Sequence, residues 1–279
     1  MGSAHERIDA MHAKRGRYVS IRSGLASIPV LRRVVIKSLK LLKRDIHITN
    51  AWTGDQLLIN SYHHKGYWYF GNQRESATMR FFKSLVREGD TVVEAGGHIG
   101  YVTQYFCKLV GPDGTVVVFE PGSNNLPYIR TNLRQFENAT LDERAVSESN
   151  GTAIFYEDNV TGQNNSLIRE YRLAEATAKS HGELLVRTPH EVDVVSLDSY
   201  VREKGLSPDF LKIDVEGGEL AVLAGARETI ASLKAMMVEV TEHHEEVTAL
   251  LLAAGFGIFD ECGMQHDTID FDGNVFALR

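Results

Sequence analysis

An acidic residue followed by a glycine-rich turn is the feature of this chain best suited to chemistry. The stretch Glu94-Ala95-Gly96-Gly97-His98-Ile99-Gly100 follows a short apolar run and precedes a helical pattern. Glycine permits positive φ and lets a ligand approach the backbone closely. The N-terminus of the next helix presents N–H groups and a partial positive charge. The stretch therefore predicts a strand, a tight turn and a helix start around a nucleotide-type cofactor.

A second carboxylate supports a nucleoside ligand. Glu120 ends the apolar run that begins at Val116, 20 residues after Gly100. A carboxylate at the end of the next strand accepts hydrogen bonds from both ribose hydroxyls. A dinucleotide turn would need glycine where Ala95 stands. Glu94 would repel an anionic pyrophosphate but suits the amino or sulfonium group of S-adenosylmethionine.

Further acidic and histidine side chains are candidates for acid–base chemistry. Asp214 and Glu216 follow one apolar run, and Glu239 and His243 belong to the next. Carboxylates held close together raise the pKa of one of them, which favours a general base. We predict these four as catalytic. Asp214, Glu239 and His243 could also converge on a divalent ion, but their spacing specifies no metal, so we assign none.

Alternating strand and helix patterns must position these residues. Continuous apolar runs predict strands buried on both faces of a parallel α/β sheet. We predict strands over 91–95, 115–119, 140–146, 152–156, 210–214, 235–240, 257–259 and 274–277. We predict helices over 77–86, 101–110, 125–136, 219–226 and 245–254. The last two strands should supply an antiparallel edge.

The chain divides by composition into an extension, 1–75, and a main domain, 76–279. The extension should hold a basic helix over 30–42 and a small β element with strands at 46–49, 56–60 and 67–70. Within the main domain, 157–190 is long, polar and poor in large apolar residues. We predict an insertion or lid there, with a helix at 166–179.

Charge and composition limit the class of protein. The chain has 279 residues, 43% hydrophobic and 24% charged, which excludes disordered and collagen-like classes. Two cysteines, no apolar run of about 18 residues and no apolar leader predict a cytoplasmic protein. Residues 1–44 carry +9 and the remainder −16. The basic segment, 13–44, is expected either to lie on an anionic membrane or to pack on the domain or a second subunit, as in a homodimer.

These motifs together resemble the FkbM family of S-adenosylmethionine-dependent methyltransferases. Family members typically read Asp-Val-Gly-Ala-Asn-x-Gly, then Phe-Glu-Pro with an asparagine four positions later, then Lys-Ile-Asp-Val-Glu-Gly-x-Glu. This chain has Glu94 to Gly100, then Phe119-Glu120-Pro121 with Asn125, then Lys212 to Glu219. Glu94 replaces the usual aspartate and His98 the usual asparagine. The resemblance covers about 46–279.

The resemblance implies a fold and residue roles. It implies a Rossmann-like class I methyltransferase fold, a seven-stranded, mostly parallel sheet with helices on both faces. Asp214 would lie beside the reactive methyl group. The residues implied to bind the cofactor are Glu94, Gly96, Gly97, His98, Gly100, Tyr101, Glu120, Pro121, Asn125, Ala145, Val146, Ser147 and Asp214.

The expected activity is O-methylation of a hydroxyl, on a sugar, polysaccharide or natural product, or of a carboxyl oxygen. The expected partner is a small-molecule or glycan acceptor, not a nucleic acid. Two alternatives stay open: a nicotinamide-dependent oxidoreductase and a non-catalytic cofactor-binding protein. Tyr200 and Lys204 have the spacing of a reductase pair, but Gly205 and Pro208 follow closely, so we interpret the pair as chance.

Overall fold

The structure is a computed structural model that describes residues 40–279. Contacts between Cα atoms divide the chain into two units, one ending at Arg74 and one running from Glu75 to Arg279. The predicted helix over 30–42 and the basic segment 13–44 lie almost wholly outside the described residues. Their membrane or packing role stays a prediction. Among the described residues, no helix is both long and apolar enough to cross a bilayer.

The unit that ends at Arg74 contains an antiparallel hairpin and a short helix. β1 (Asp45–Thr49) pairs with β2 (Gln56–Asn60), as predicted. The strand predicted at 67–70 is wrong, because these residues belong to helix α1 (Lys65–Phe70). A turn just before the helix directs the chain into it, because the Asn60 side chain accepts the N–H groups of Tyr62 and His63. This local turn outweighs the strand preference of the aromatic residues.

In the unit from Glu75, strands alternate with helices as predicted. The strands are β3 (Thr91–Ala95), β4 (Thr115–Phe119), β5 (Ala139–Asp142), β6 (Ala145–Val146), β7 (Gly151–Asp158), β8 (Arg187–Val195), β9 (Phe210–Ile213), β10 (Ala235–Val240), β11 (Gly257–Phe259), β12 (Gln265–His266) and β13 (Gly273–Leu278). The helices are α2 (Ser76–Leu85), α3 (Tyr101–Val110), α4 (Leu126–Leu133), α5 (Arg172–His181), α6 (Leu197–Lys204), α7 (Glu219–Ala224), α8 (Arg227–Ser232) and α9 (His244–Ala253).

The main sheet of the described chain has eight strands in the order β12-β11-β13-β10-β9-β3-β4-β5. The five strands from β10 to β5 run parallel, and β13 runs antiparallel between β10 and β11. The predicted α/β class is confirmed. The predicted seven strands become eight through the two-residue β12. β13, which runs antiparallel to both of its neighbours, is not at the edge of the sheet, because β11 and β12 lie outside it.

A second sheet, β6-β8-β7, is where the sequence prediction is least accurate. The strand predicted at 140–146 is divided between two sheets, because Asp142 accepts the N–H of Arg144 and pairs with its guanidinium at 2.7 Å, turning the chain. β8 begins inside the polar segment and was not predicted. The helix predicted at 166–179 starts only at Arg172, because Ser166 pairs with Tyr156 of β7.

Helices cover both faces of the main sheet because successive strand residues point to opposite sides. On β9, Leu211 belongs to a core that also contains Tyr200 of α6 and Leu223 of α7. Its neighbour Phe210 packs on the other face, 5.8 Å from the ring centroids of both Phe82 and Phe106.

Phe82 is fully buried and its ring lies at the centre of this aromatic group. Replacing Phe82 by alanine removes the ring and leaves a cavity among these aromatic side chains. We expect the free energy of unfolding to fall by about 3–5 kcal/mol in denaturant titrations. Phe70→Ala is the matched control, because that ring is 51% exposed, and should cost at most about 1 kcal/mol. Equal losses would contradict this packing.

Candidate active site

The glycine turn after β3 brings three strand ends together. The N–H groups of Gly96 and Gly97 both donate to the carbonyl of Phe119, each at 3.0 Å. Gly96 has φ 90°, and a Cβ there would lie 1.7 Å from the carbonyl oxygen of Asp214. Only glycine fits, because both the backbone angle and the close approach exclude a side chain. The turn therefore holds the ends of β3, β4 and β9 against one another.

A buried lysine lies beneath this turn. The Lys212 Nζ is 3.2 Å from Glu94 Oε1, 3.2 Å from Asp214 Oδ2, and donates to the Gly96 carbonyl at 3.0 Å. Burial alone would lower the pKa of Lys212, but the charges of Asp214 and Glu94 outweigh it and raise this pKa. Thr103 completes the group by donating to Glu94 Oε2 at 2.7 Å.

This arrangement gives Glu94 a different environment from the one expected. Glu94 is 1% exposed, and its two carboxylate oxygens face Thr103 and Lys212 beneath the turn. Direct contact with the methionine end of the cofactor stays a prediction. Lys212 was missed as a site residue, although the parallel register places it opposite Glu94. The sequence feature that could have indicated Lys212 is the presence of a lysine within the apolar run of β9.

Glu120 follows β4 and is held by backbone and amide groups. Its Oε1 accepts the Gly122 N–H at 2.8 Å and the Asn125 Nδ2 at 3.1 Å. Its Oε2 accepts the His98 N–H at 2.6 Å. Among the described residues, Oε2 has that single donor, so it retains acceptor capacity for a ribose hydroxyl. Burial raises the pKa of Glu120 to about 7, against these three hydrogen bonds.

The remaining predicted cofactor residues occupy two places. Tyr101 begins α3 and is 3% exposed, and Pro121 lies beside Glu120 in the partly buried turn. Ala145 and Val146 form β6 of the second sheet, and the Ser147 N–H donates to the Val195 carbonyl at 3.0 Å. Proximity of 145–147 to the adenine stays a prediction.

Residues 158–166, which we call the insertion loop, are ordered by one aspartate. The buried Asp158 accepts the N–H groups of Val160 and Thr161 at 2.7 Å and of Asn164 at 3.1 Å. An aspartate that accepts nearby backbone N–H groups fixes a turn without regular secondary structure. The polar composition that predicted a lid therefore also builds a defined loop.

The insertion loop contacts both sides of the site. Asn125 Nδ2 donates to the Gly162 carbonyl at 2.9 Å, and His98 Nε2 lies 3.2 Å from the Thr161 carbonyl. The carbonyl can only accept, so this ring nitrogen carries a proton. At its other end, Ser166 Oγ donates to the Glu216 carbonyl at 2.6 Å. The loop thus joins the Glu120 turn to the residues after β9.

Three of the four predicted catalytic residues come together. Asp214, Glu216 and Glu239 each place a carboxylate oxygen within 4.8 Å of the others, and we call them the carboxylate cluster. The charge of Asp214, followed by burial, raises the pKa of Glu239 to about 11. Burial, followed by the same charge, raises the pKa of Glu216. The cluster therefore holds a proton at neutral pH, and such closely placed oxygens could also hold a hard divalent cation.

His243 is not part of this group. It has φ 56° at the start of α9, and its Nδ1 lies 3.6 Å from Glu246 Oε1 on the surface. Tyr171, which was not predicted, takes part instead. Its buried hydroxyl lies 3.2 Å from Thr241 Oγ1, and its ring lies against the backbone at Gly217, next to Glu216. The sequence feature that could have indicated Tyr171 is the presence of an aromatic residue within the polar segment 157–190.

Comparison with known proteins identifies the domain. Residues 94–263, more than half of the chain, match the family model described as the methyltransferase FkbM domain. The chain belongs to the FkbM methyltransferase family. Membership confirms the predicted S-adenosylmethionine-dependent methyltransferase class, and it argues against the nicotinamide alternative. Tyr200 of α6 is buried in the core, where its ring centroid lies 4.9 Å from that of Phe119.

Curated relatives of this FkbM chain are distant. It is 28% identical over 167 residues to the 2-O-methyltransferase NoeI of Sinorhizobium fredii, covering 57% of this chain and 67% of NoeI. It is 27% identical over 150 residues to Methyltransferase 1 of Beauveria bassiana, covering 48% of this chain and 57% of that protein.

Solved structures that resemble the FkbM chain are more distant in sequence. The methyltransferase FkbM from Methylobacillus flagellatus is 16% identical with a TM-score of 0.45, over 93% of this chain and 62% of that one. The fibrillarin of Aeropyrum pernix is 14% identical with a TM-score of 0.45, over 84% and 89%. The chain thus spans less than two thirds of the length of some of these proteins.

The side chains of the site fit a cationic nucleoside. Carboxylates stand at the ends of β3, β4 and β9, and Glu120 Oε2 keeps capacity for a ribose hydroxyl. Such a set suits a sulfonium and an ammonium group and disfavours a pyrophosphate. Glu120 and Asn125 would hold the ribose end, and Asp214 would face the methionine end.

Lys212→Met should destabilise the protein strongly. The substitution leaves Glu94 and Asp214 facing each other without a counter-charge, and breaking a buried pair in this way costs about 3–5 kcal/mol. Denaturant unfolding measures the loss. Lys234→Met is the control: that lysine pairs with Asp209 at 2.6 Å, but its side chain is 70% exposed, so the cost should stay below about 1 kcal/mol. A similar loss in both variants would contradict the central role of Lys212.

Affinity for S-adenosylmethionine should depend on pH through Glu120. Ribose hydroxyls donate to the ionised carboxylate, so affinity should be constant above about pH 7 and fall up to about tenfold per pH unit below it. Calorimetry of Glu120→Gln should show weaker binding without this component. Glu137→Gln, at an exposed position, should keep the wild-type profile. A Glu120→Gln profile that matches the wild type would remove Glu120 from the site.

Proposed function

We propose that the protein transfers the methyl group of S-adenosylmethionine to a hydroxyl oxygen of a sugar, polysaccharide or natural product. The observation that carries the proposal is the carboxylate cluster, which adjoins the glycine turn through Lys212. A hydroxyl group that is methylated must give up its proton, and the Asp214 carboxylate of the cluster can accept it. The relative NoeI is named a 2-O-methyltransferase, which supports oxygen as the accepting atom.

The reaction asks for alignment and for one proton acceptor. The cofactor, when bound, supplies an electrophilic methyl group. A bond forms between the acceptor oxygen and the methyl carbon as the carbon–sulfur bond breaks, and the hydroxyl proton passes to the protein. Asp214 is the best placed acceptor, because its side chain is 31% exposed while Lys212 fixes one of its oxygens. The charge of Asp214, followed by burial, raises the pKa of Glu239 to about 11, so Glu239 retains its own proton beside Asp214.

The cluster distinguishes between the two classes of acceptor that the family resemblance leaves open. A carboxylate acceptor would enter beside Asp214 and would be repelled by its charge. A neutral hydroxyl meets no such penalty and gains a hydrogen bond to the carboxylate. Methylation of a hydroxyl is therefore favoured over methylation of a carboxyl group.

Asp214→Asn should lower turnover far more than cofactor affinity. The substitution keeps the size of the side chain but removes its basicity, and loss of a general base costs about 10²-fold or more in kcat. Turnover is followed by mass spectrometry of methylated products over a panel of hydroxylated and carboxylated compounds. Calorimetry with S-adenosylmethionine gives the cofactor affinity of the same preparation.

The exposed Asp113→Asn is the control and should keep wild-type turnover. Near-normal turnover of Asp214→Asn would move the role to Glu216 or Glu239. A protein that binds the cofactor but methylates no compound would favour the non-catalytic alternative. Exclusive methylation of carboxylated compounds would contradict the hydroxyl assignment.

A further inference from the structure

A pocket of about 410 Å³ lies between the adjoining ends of β7 and β8 and the segment that connects them. Its lining comes wholly from residues 156–189 and includes Tyr156, Arg169, Glu170, Tyr171, Glu175 and Arg187. This volume falls within the roughly 300–1,000 Å³ of small-molecule sites. We call it the insertion pocket. None of its lining residues belongs to the predicted cofactor or catalytic set.

Tyr171 connects the insertion pocket to the carboxylate cluster. It lines the pocket, and its hydroxyl lies 3.2 Å from Oγ1 of Thr241, the residue directly after β10, which carries Glu239. A Cβ on Gly217 would lie 3.1 Å from the Tyr171 ring, so the backbone after β9 packs directly on this wall. A molecule seated in the insertion pocket would therefore lie next to the groups that take the acceptor's proton.

Hydrogen bonds hold one guanidinium in a fixed position within the pocket wall. Arg187 Nη1 donates to the Arg169 carbonyl at 3.1 Å, and Nη2 donates to the carbonyls of Tyr156 and Asn164 at 3.2 and 3.1 Å. Its guanidinium carbon lies 5.7 Å from the centroid of the Tyr156 ring. The aromatic face and the cation beside it are thus positioned before any ligand binds.

Other polar side chains of the pocket have no partner in the described part of the chain. The side chains of Arg169, Glu170 and Glu175 are exposed and make no hydrogen bond or ion pair with another described residue. They offer donors and acceptors together. Neighbouring hydroxyls of one ring both donate and accept, so a polyhydroxylated ligand can use both kinds of group.

The balance of charge indicates a neutral ligand. Two guanidiniums and two carboxylates line the pocket, whereas a site for an anion gathers arginines without opposing acids. The tyrosine rings add apolar faces with partial negative charge, which suit the polarised C–H groups of a sugar ring. Aromatic faces beside both donors and acceptors fit a sugar better than an aliphatic alcohol or a lipid.

We propose that the insertion pocket binds an uncharged sugar ring of the methyl acceptor and holds it beside the carboxylate cluster. The proposal rests on the proposed function and adds to it the class of acceptor and the segment that selects it. The insertion between β7 and β8 then determines which sugar presents its hydroxyl to Asp214.

The test measures sugar binding to the full chain directly, without turnover. Saturation-transfer NMR is run with methyl glycosides of glucose, galactose and mannose, neutral oligosaccharides of the same sugars, and glucuronic acid as the anionic comparison. At least one neutral sugar should bind. Arg169→Ala and Glu175→Ala should each weaken its binding about tenfold, the ratio that corresponds to ~1.4 kcal/mol for a hydrogen bond to a charged group.

Arg134→Ala is the matched control, because this arginine is exposed on the surface after α4 and should leave sugar binding unchanged. Calorimetry with S-adenosylmethionine should give the same affinity for all three variants. Binding of no neutral sugar, preferential binding of glucuronic acid, or sugar binding unaffected by both pocket variants would overturn the proposal. Such a result with intact cofactor affinity and methylation of another hydroxyl compound would leave the proposed function standing. If the wild-type protein does not bind S-adenosylmethionine at all, the proposed function itself is contradicted.

Discussion

The buried ammonium of Lys212 is the interaction on which the rest of the site depends. It lies within 3.2 Å of carboxylates from the ends of β3 and β9 and donates to the carbonyl that opens the glycine turn. Two carboxylates this close would repel each other in a medium of low dielectric constant. One positive charge between them offsets this repulsion, so that Glu94 lies buried beneath the turn while the Asp214 side chain stays 31% exposed.

A second group of carboxylates uses the opposite arrangement. Glu216 and Glu239 lie near Asp214 without a lysine of their own, and their pKa values are raised. Asp214 thus belongs to two sets, one neutralised by Lys212 and one neutralised by protons. Asp214 is the carboxylate that the two sets share.

The inserted segment between β7 and β8 extends the site on two sides. Its insertion loop bonds to His98 and Asn125 on the cofactor side and, through Ser166, to Glu216 on the catalytic side. Its far end forms the insertion pocket behind Tyr171. One departure from the family pattern also lies here, because His98 replaces the usual asparagine and its ring nitrogen contacts the Thr161 carbonyl. Segments that connect the strands of a sheet commonly carry the groups that determine specificity.

The sequence by itself determined the regular part of this protein. The apolar runs at β3, β4 and β10 and the helix α3 were predicted to the residue, because strands buried on both faces leave an unbroken apolar signal. The motifs also identified the family. The apolar runs placed Asp214, Glu216 and Glu239 on neighbouring strands, and the structure brings their carboxylates together. Polar segments carry no such periodic signal. The strand β8 and the true start of α5 depend on partners distant in sequence, such as the pairing of Ser166 with Tyr156.

Only the tertiary structure decided which charges meet. From sequence, His243 and Glu239 were equal candidates, but α9 turns His243 towards Glu246 while β10 directs Glu239 to Asp214. Lys212 and Tyr171 gained their roles from strand register and from a loop that folds back across the sheet end. The physical reason is that electrostatic energy depends on distance and burial, and residues far apart along a chain acquire both only when the fold brings them together.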